Sequence, residues 1–454
     1  MAVLTDTIAA IASAPGRGAV GVIRISGPDV PQVAASVLGY LPPPRVAQVA
    51  RFLGSDGEAI DRGLALYFPA PASYTGEHVL ELQGHGGILV LDLLLKRLLD
   101  LGCRMARPGE FSERAFLNGK LDIAQAEAIA DLIDAGSTAA ARAAMRSLQG
   151  EFSAHVHALQ AQITELRTLV EAAIDFPDEE LDFLPGSVLG DRVAKIFTAF
   201  DRITAAARQG ALLREGLNVV IAGKPNAGKS SLLNRLVGDE IAIVTDQPGT
   251  TRDVLRQQVH LDGMPVNLID TAGLRTTVDV VEAEGVRRAF AELGRADRVL
   301  YVLDAAAPAG ESSASDLAAD LRELQQSVPV TLIFNKIDLS GAQASVDESR
   351  EPPHVFLSAK TGAGLDLLRA HLKNRAGYSS GESGALSARR RHLDALERAR
   401  SSVAQAAQIL ATSRAFELFA EELRRAQLAL GEITGEFSSD DLLGEIFSSF
   451  CIGK

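Results

Sequence analysis

The pattern of apolar and polar positions divides the chain into three types of segment, here called textures. In residues 1–120, short apolar runs at 20–25, 64–68 and 79–82 are separated by turns and predict strands, and 8–14 predicts a further first strand. The spacing in 88–101 is helical. This first part is expected to be a compact α+β domain.

The second texture, in residues 121–215, is rich in Ala, Leu, Glu and Gln. Apolar residues recur there in steps of three and four, which places one stripe along a helix. They are Leu159, Ile163, Leu166, Val170 and Ile174. Pro177 and clustered acids in 175–182 predict the end of that helix.

Continuous apolar runs mark the third texture, in residues 216–377. They occupy 217–222, 266–269, 299–303 and 330–334. Such runs are typical of strands buried on both faces of a parallel sheet, here expected to be an α/β module. Residues 379–384 read as a linker, after which helical spacing returns.

The order of these textures predicts an insertion. Residues 121–215 and 378–454 are expected to form one helical domain, interrupted by a module at 216–377, because a C-terminal segment of 77 residues alone offers a thin core. Two separate helical bundles remain the alternative.

Composition narrows the function classes. With 45 basic and 58 acidic residues, the net charge is −13, so non-specific electrostatic binding of nucleic acid by the whole chain is not expected. A local basic run such as 389–391 could contribute to such binding. Two cysteines and no Cys/His cluster exclude a disulfide scaffold and a zinc finger and indicate a reducing compartment. No apolar run reaches membrane-spanning length, and residues 8–14 lack the basic flank of a signal peptide, so we expect a cytoplasmic protein.

A phosphate-binding motif begins the third part. Residues 223–230 match GxxxxGK[ST], follow a predicted strand and open a predicted helix, the context that the motif needs. Backbone N–H groups and the helix N-terminus favour phosphate oxygens there. Lys229 is expected to reach the β- and γ-phosphates, and the Ser230 hydroxyl to ligate Mg²⁺.

Three further motifs follow predicted strands. Residues 270–273 read Asp-Thr-Ala-Gly, so that Asp270 can reach the metal's water shell and the N–H of Gly273 can sense a γ-phosphate. Residues 335–338 read Asn-Lys-Ile-Asp, in which the carboxylate of Asp338 matches the paired N–H donors of guanine. Residues 358–360 can complete the base pocket. The four motifs together closely resemble the GTPase superfamily.

The residues around the hydrolytic water depart from the Ras-like pattern. Thr251 is expected to close onto Mg²⁺, but Leu274 stands where many small GTPases use Gln to orient water. Glu282 is a carboxylate candidate for that role, with Glu284 as its rival. No arginine finger is evident, so a monovalent cation near Asn226 could offset phosphoryl charge.

A second glycine motif is not interpreted as a nucleotide-binding site. Residues 16–21 match GxGxxG, but they lead into a predicted strand and open no helix. We therefore read them as a turn and do not expect dinucleotide binding.

The whole chain resembles the tRNA-modification GTPase family MnmE, also called TrmE. The resemblance is carried by residues 15–27, by Glu-Leu-Gln-Gly-His-Gly-Gly at 81–87, by 107–122 and by the terminal Cys-Ile-Gly-Lys at 451–454. It implies a homodimer that works with an FAD-binding partner, MnmG (GidA). Together they would install a carboxymethylaminomethyl-type group at C5 of the wobble uridine of certain tRNAs.

The resemblance also implies a folate site in the N-terminal domain, for 5-formyl-tetrahydrofolate or a related folate. Matching positions are Arg24, Glu81, Lys120 and Lys454. Arg24 and Lys120 suit the glutamate carboxylates of a folate, and Glu81 suits its pterin N–H donors. Arg24 or Glu81 as a solvated strand residue is the alternative. Cys451 could act near the one-carbon unit or could be a free thiol without a catalytic role.

The resemblance extends to the nucleotide site and implies activation by K⁺ with pairing of GTPase domains. By position, Asn226, Thr245, Gln247 and Thr250 would surround K⁺, and Glu282 falls where the family orients water. The residues expected around GTP are Asn226, Ala227, Gly228, Lys229, Ser230, Ser231, Thr245, Asp246, Gln247, Pro248, Gly249, Thr250, Thr251, Asp270, Thr271, Ala272, Gly273, Asn335, Lys336, Asp338, Ser358, Ala359 and Lys360. The other function considered is a nucleotide-gated assembly GTPase with no part in tRNA chemistry.

Overall fold

The computed structural model describes residues 6–175, 186–223, 226–238, 256–270, 296–307, 328–378, 384–413, 415–436, 440–448, 450 and 453. The chain divides into two compact units. One comprises Met1–Ala130, Ser147–Phe200 and Asp394–Lys454, and the other comprises Asp131–Arg146 and Asp201–Leu393.

A six-stranded sheet forms the N-terminal part of the first unit. Its strands are β1 (Ile8–Ile11), β2 (Val20–Ser26), β3 (Gln48–Leu53), β4 (Ala59–Phe68), β5 (Val79–His85) and β6 (Arg104–Met105), in the order β3-β4-β5-β2-β1-β6. All pairs are antiparallel except β1 with β6. The strands predicted from apolar runs are confirmed, with β4 beginning earlier than its run suggested.

Two helices cover one face of this sheet, α1 (Val30–Leu38) and α2 (Ile88–Asp100). Alternation in β2 and β5 sends Ile23, Ile25, Leu80 and Leu82 into the core against these helices. Arg24 and Glu81 therefore face the opposite side. Part of that side is covered by the residues after β6 and by α3 (Glu110–Leu117), where Phe111 packs with Ile8.

Four helices follow: α4 (Ile123–Ile133), α5 (Thr138–Leu148), α6 (Glu151–Asp175) and α7 (Gly186–Glu215). The predicted stripe is confirmed on α6, where Leu159, Ile163, Leu166 and Val170 are buried and Ile174 is half-buried. α6 ends at Asp175, at the start of the acidic, proline-containing segment.

A seven-stranded sheet lies in the second unit. Its strands are β7 (Leu217–Gly223), β8 (Arg256–Leu261), β9 (Met264–Asp270), β10 (Arg298–Asp304), β11 (Val330–Asn335), β12 (Ser345–Asp347) and β13 (His354–Phe356). The order is β12-β13-β11-β10-β7-β9-β8. Helices α8 (Lys229–Gly238), α9 (Ile337–Ser340) and α10 (Leu365–Ala376) belong to this module.

The five central strands are parallel, as predicted for the four that contain continuous apolar runs, whereas β8 and β12 pair antiparallel at the two edges. β8 was not predicted because its sequence, Arg-Gln-Gln-Val-His-Leu, has no apolar run. An edge strand needs fewer apolar side chains than a central one.

The remaining helices are α11 (Arg390–Thr412), α12 (Phe416–Thr434) and α13 (Asp440–Ser448). Within the first unit, α12 packs along α6: Gln427 accepts a hydrogen bond of 2.5 Å from Arg167 and donates one of 2.6 Å to Thr164. Helices on both sides of the seven-stranded module thus pack together, which gives a multidomain protein with a discontinuous helical domain.

Among the residues that the structure describes, no helix is both long and apolar enough to span a bilayer.

Candidate functional site

The loop between β7 and α8 has the backbone of a phosphate-binding loop at both of its ends. Gly223 has a φ of +136°, and a Cβ there would lie 2.3 Å from the backbone oxygen of Val302. Gly228 has a φ of +96°, and a Cβ there would lie 2.2 Å from Nδ2 of Asn335. Both positions therefore require glycine.

The side chain of Lys229, near the end of the loop, is held at the beginning of the loop. Nζ of Lys229 donates a 2.9 Å hydrogen bond to the backbone oxygen of Gly223. Lys229 is also the first residue of α8, so the partial positive charge of the helix N-terminus lies at the same place. The hydroxyl-bearing residues Ser230 and Ser231 are exposed. Asn226 is also exposed and has a left-handed backbone, with φ +61°.

Asn335 joins three of the predicted motifs. It is buried at the end of β11, where its Nδ2 donates to the backbone oxygen of Ala227 at 2.9 Å. Its Oδ1 accepts a 2.9 Å hydrogen bond from the backbone N–H of Ala359. One amide side chain thus links the phosphate loop to the loop at 358–360.

Asp338 lies beside that same loop. Oγ of Ser358, which is fully buried, donates a 2.6 Å hydrogen bond to Oδ1 of Asp338. Ser358 Oγ also accepts from the backbone N–H of Thr361 at 3.2 Å. Asp338 is exposed, so its carboxylate is held in place while remaining accessible. Lys360 is exposed as well.

Lys336 reaches a residue that the sequence analysis missed. Its Nζ lies 2.5 Å from Oδ2 of Asp304, the last residue of β10. The hydrogen bond from Lys336 lowers the pKa of Asp304 below its ordinary value. Asp304 could have been found by position, since like Asp270 and Asn335 it ends a parallel strand at the edge where the motifs gather.

Several predicted site residues lie outside the described part of the chain. They are Thr245, Asp246, Gln247, Pro248, Gly249, Thr250, Thr251, Thr271, Ala272, Gly273, Glu282, Cys451 and Lys454. Of Asp270 only the backbone is described: it ends β9 and pairs in register with Ile221 of β7.

The N-terminal sheet brings Arg24 and Glu81 together. They are register partners on β2 and β5, with Nε of Arg24 3.0 Å from Oε1 of Glu81. The Arg24 guanidinium lies 5.3 Å from the Tyr74 ring centre and 5.7 Å from that of Phe111. Burial raises the pKa of Tyr74, whose hydroxyl lies 2.8 Å from Oγ of Ser112.

The neighbouring loop connects this pair to the position of Lys120. Asn118 donates to the backbone oxygen of Thr75 at 2.7 Å. A Cβ on Gly76 would lie 3.2 Å from Cε of Lys120, whose side chain is exposed. Consecutive residues 74–76 thus face Arg24 on one side and the 118–120 turn on the other.

The chain's C-terminal residues approach the same sheet. Phe450 packs with Phe447, and a Cβ on Gly109 would lie 3.1 Å from Cβ of Phe450. Gly453 is buried, and a Cβ there would lie 2.5 Å from the backbone oxygen of Ile11. Ile11 ends β1, next to β2.

A buried ionic cluster, which the sequence analysis also missed, fixes α3 beside β1. The Arg114 guanidinium is fully buried and contacts Asp6 at 2.8 Å, Glu77 at 3.1 Å and Glu110 at 3.1 Å. Arg104 contacts Glu110 at 2.5 Å. Burial alone would raise the pKa of Glu110, but hydrogen bonds from Arg104, Arg107 N–H and Arg114 outweigh it and lower that pKa.

The GxGxxG segment is a turn, as predicted. It leads into β2, and the N–H of Gly18 donates a 3.1 Å hydrogen bond to the backbone oxygen of Gly86. Cys103 is buried, and that burial, with a smaller effect from Asp29, raises the pKa of its thiol to about 11. No group of three or more His, Cys, Asp or Glu side chains suited to a metal occurs within the described ranges.

Comparison with known families and proteins agrees with this geometry. The family model described as GTP-binding protein TrmE N-terminus matches residues 7–120, and that of the MnmE helical domain matches 123–451. The protein named tRNA modification GTPase MnmE of Methylococcus capsulatus is 59% identical over 450 residues, which cover 99% of each chain. Proteins of the same name from Proteus mirabilis and Shewanella loihica are 55% and 57% identical, over 99% of this chain and 99% and 100% of theirs.

Proposed function

The chain belongs to the MnmE family of tRNA modification GTPases, and from that premise we propose how its parts divide the work. The protein hydrolyses GTP in the module at 216–377 and binds a folate in the domain at 1–120. With an FAD-dependent partner of the MnmG (GidA) type, it adds a carboxymethylaminomethyl-type group at C5 of the wobble uridine of certain tRNAs.

One observation carries the assignment of the nucleotide site. The side chain of Asn335 ties the phosphate loop at Ala227 to the base loop at Ala359. The groups suited to phosphates and the carboxylate suited to guanine are thereby held at one edge of the sheet. Asp338, already fixed by Ser358, accepts the N–H donors of guanine, and Lys229 meets the phosphates.

Magnesium fits the phosphate loop. The Ser230 hydroxyl is exposed at the start of α8, directly after the lysine that faces the phosphates, and is a hard oxygen donor. Thr251 would be the second protein ligand, with Asp270 reaching the water shell. The ion supplies neutralisation of charge on the β- and γ-phosphate oxygens.

Potassium fits Asn226. This residue has a left-handed backbone and an exposed side chain, so its amide oxygen is accessible beside the phosphate loop. Thr245, Gln247 and Thr250 would supply the remaining oxygens, Gln247 through its backbone carbonyl. The cation would take the place of an arginine finger.

Hydrolysis needs a group that orients the attacking water. Leu274 has no hydrogen-bonding atom in its side chain, and Glu282 falls at the position where the resemblance implies that the family orients water, so we assign this role to Glu282. Its carboxylate would accept a hydrogen bond from an O–H of the water and align the water oxygen with the γ-phosphorus.

Arg24 and Glu81 form one unit of the folate site. Because they lie 3.0 Å apart, we infer that they contact the same part of the ligand and do not divide between its pterin and glutamate ends. The Arg24 guanidinium lies over the rings of Tyr74 and Phe111, so this unit suits a flat polar ring whose N–H groups face Glu81. Lys120, beyond Gly76, is left for the glutamate carboxylates.

The C-terminus completes this site. Gly453 packs against Ile11, beside the strand that carries Arg24. Lys454 would then contribute a cation to the folate, and Cys451 a thiol near the one-carbon unit.

The resemblance to the family implies the partners. We assign a homodimer, the MnmG-type partner and tRNA as the assembly. Arg389, in the basic run at 389–391, is paired with Asp131 at 3.1 Å, so it is less available to RNA than its sequence context suggested. Because this chain has a net charge of −13, we expect the partner to supply the surface that binds tRNA.

We propose that residues 121–215 and 378–454 form the helical domain.

Complementation tests the whole proposal. A strain deleted for this protein receives the wild type, Lys229→Ala or the control Lys373→Ala, a lysine on α10 remote from the phosphate loop in sequence. Nucleosides from its tRNA are analysed by mass spectrometry. We expect the C5 modification with the wild type and the control and its loss with Lys229→Ala. Unmodified tRNA with the wild type, or full modification with Lys229→Ala, would overturn the proposal.

The assembly-factor alternative has its own test. Equilibrium dialysis with 5-formyl-tetrahydrofolate should show binding to the wild-type chain and weaker binding to Arg24→Ala. No retention by the wild type would favour an assembly GTPase.

A further inference from the structure

Asp304 and Lys336 form an ion pair at the carboxyl ends of two neighbouring strands. β10 and β11 are parallel and in register, with Asp304 beside Asn335. Nζ of Lys336 lies 2.5 Å from Oδ2 of Asp304, and the two side chains are 30% and 28% exposed. The pair is thus partly shielded from water at the edge where the nucleotide motifs meet.

The backbone holds both ends of this pair. The second oxygen of Asp304 accepts a 2.9 Å hydrogen bond from the N–H of Ala306. The N–H of Ala305 donates to the backbone oxygen of Asn335 at 2.8 Å, which joins the two strand ends. Lys336 has a left-handed backbone, with φ 69° and ψ 37°, so its side chain leaves the strand in a defined direction.

The order of the strands determines which neighbouring strand the Lys336 side chain approaches. β11 lies between β13 and β10. Asp338 directs its side chain to the loop after β13, whereas Lys336 directs its own to β10. The stem of Lys336 and the carboxylate of Asp338 therefore stand on two sides of the end of β11.

We propose that Asp304 is a positioning residue for guanine-nucleotide binding, holding the stem of Lys336 as a wall against the face of the base while Asp338 reads its edge. The inference rests on the nucleotide site proposed above. An unrestrained lysine loses much of its rotamer freedom on binding, and the ion pair imposes that loss before the nucleotide arrives. The lysine stem is apolar and suits a flat ring.

Its position at the nucleotide site distinguishes the pair of Asp304 and Lys336 from other surface ion pairs of the module. Asp347 and Arg350 form one in the same module, at 2.8 Å on the edge strand β12, away from the end of β11. Asp347→Ala is thus a matched control: it removes a carboxylate from an ion pair in the same sheet without touching Lys336.

Nucleotide affinity and turnover separate positioning from a structural role. In the full-length protein we expect Asp304→Asn and Asp304→Ala to weaken GTP and GDP binding about five-fold, the upper range for a partly exposed pair. Binding of inosine triphosphate should weaken by the same factor, because the Lys336 stem packs on the ring and does not contact the 2-amino group. KM should rise while kcat stays near that of the wild type. Asp347→Ala should leave all of these values unchanged.

A double variant provides the second readout. If Asp304 acts through Lys336, Asp304→Ala combined with Lys336→Ala should bind GTP no more weakly than Lys336→Ala alone. Additive losses, or unchanged affinity in Asp304→Ala, would overturn the inference. Failure of the wild type to bind guanine nucleotides would instead overturn the proposed site.

Discussion

The side-chain nitrogen of Asn335 lies 2.9 Å from the backbone oxygen of Ala227, across a sequence separation of 108 residues. The same amide accepts from Ala359, so it needs a donor on one side and an acceptor on the other. Only a primary amide in this orientation serves both neighbours, and the phosphate loop depends on a residue that belongs to the base-reading motif.

Asn335→Asp should therefore weaken GTP binding even though it changes a single atom. The new oxygen would face the oxygen of Ala227 and leave two acceptors opposed in a buried place, which costs about 1–3 kcal/mol of stability. Movement of the phosphate loop away from this contact would relieve the repulsion and lower the affinity for GTP, by up to about 150-fold. Titration with a fluorescent guanine nucleotide measures this loss. Affinity equal to the wild type would contradict the bridging role.

Asp338→Asn should shift base preference from guanine towards xanthine. The amide keeps an oxygen for the hydrogen bond from Ser358 and presents a donor where the carboxylate presented an acceptor, so it matches a xanthine carbonyl. Competition between GTP and xanthosine triphosphate measures the change, with Asp347→Asn as the control. Unchanged selectivity for GTP would refute the assigned contact.

Hydrolysis should be faster in K⁺ than in Na⁺, and the difference should depend on Asn226. Asn226→Ala removes the accessible amide oxygen beside the phosphate loop, so its turnover should be nearly the same in the two salts. Phosphate release at equal ionic strength provides the measurement. Equal turnover of the wild type in both salts would remove the cation from the mechanism.

Acidic pH should loosen the contact between α3 and β1. The pKa of Glu110 is lowered from 4.5 in the folded chain, so its contribution is fully present above about pH 4.5 and is lost as the pH falls through the lower folded value. Glu110→Gln should destabilise this region by about 2 kcal/mol at neutral pH, and less in acid.

Hydrogen exchange of amides in α3 and β6 measures that effect. Glu113→Gln is the control, because Glu113 lies on the same helix but pairs with the more exposed Arg107 at 2.9 Å. A difference between Glu110→Gln and the wild type that grows as the pH falls would contradict the expected sign.

Much of this molecule could be predicted from its amino-acid order. Apolar runs located β7, β9, β10 and β11, since a strand buried on both faces is apolar at nearly every position. A stripe with helical spacing located α6. The phosphate loop was recognisable because its glycines and lysine form a motif of fixed spacing, and the positive φ angles of Gly223 and Gly228 account for part of that requirement.

The polar edge strand β8, the pairing of Arg24 with Glu81 and the partner of Lys336 required the folded chain. Each depends on which segment lies next to which, and no local pattern encodes that neighbour. Asp304 precedes Lys336 by 32 residues and meets it because parallel strands end at one edge. Residue types showed which chemistry was possible, and strand order selected the residues that perform it together, because side chains interact over a few ångströms whatever their separation along the chain.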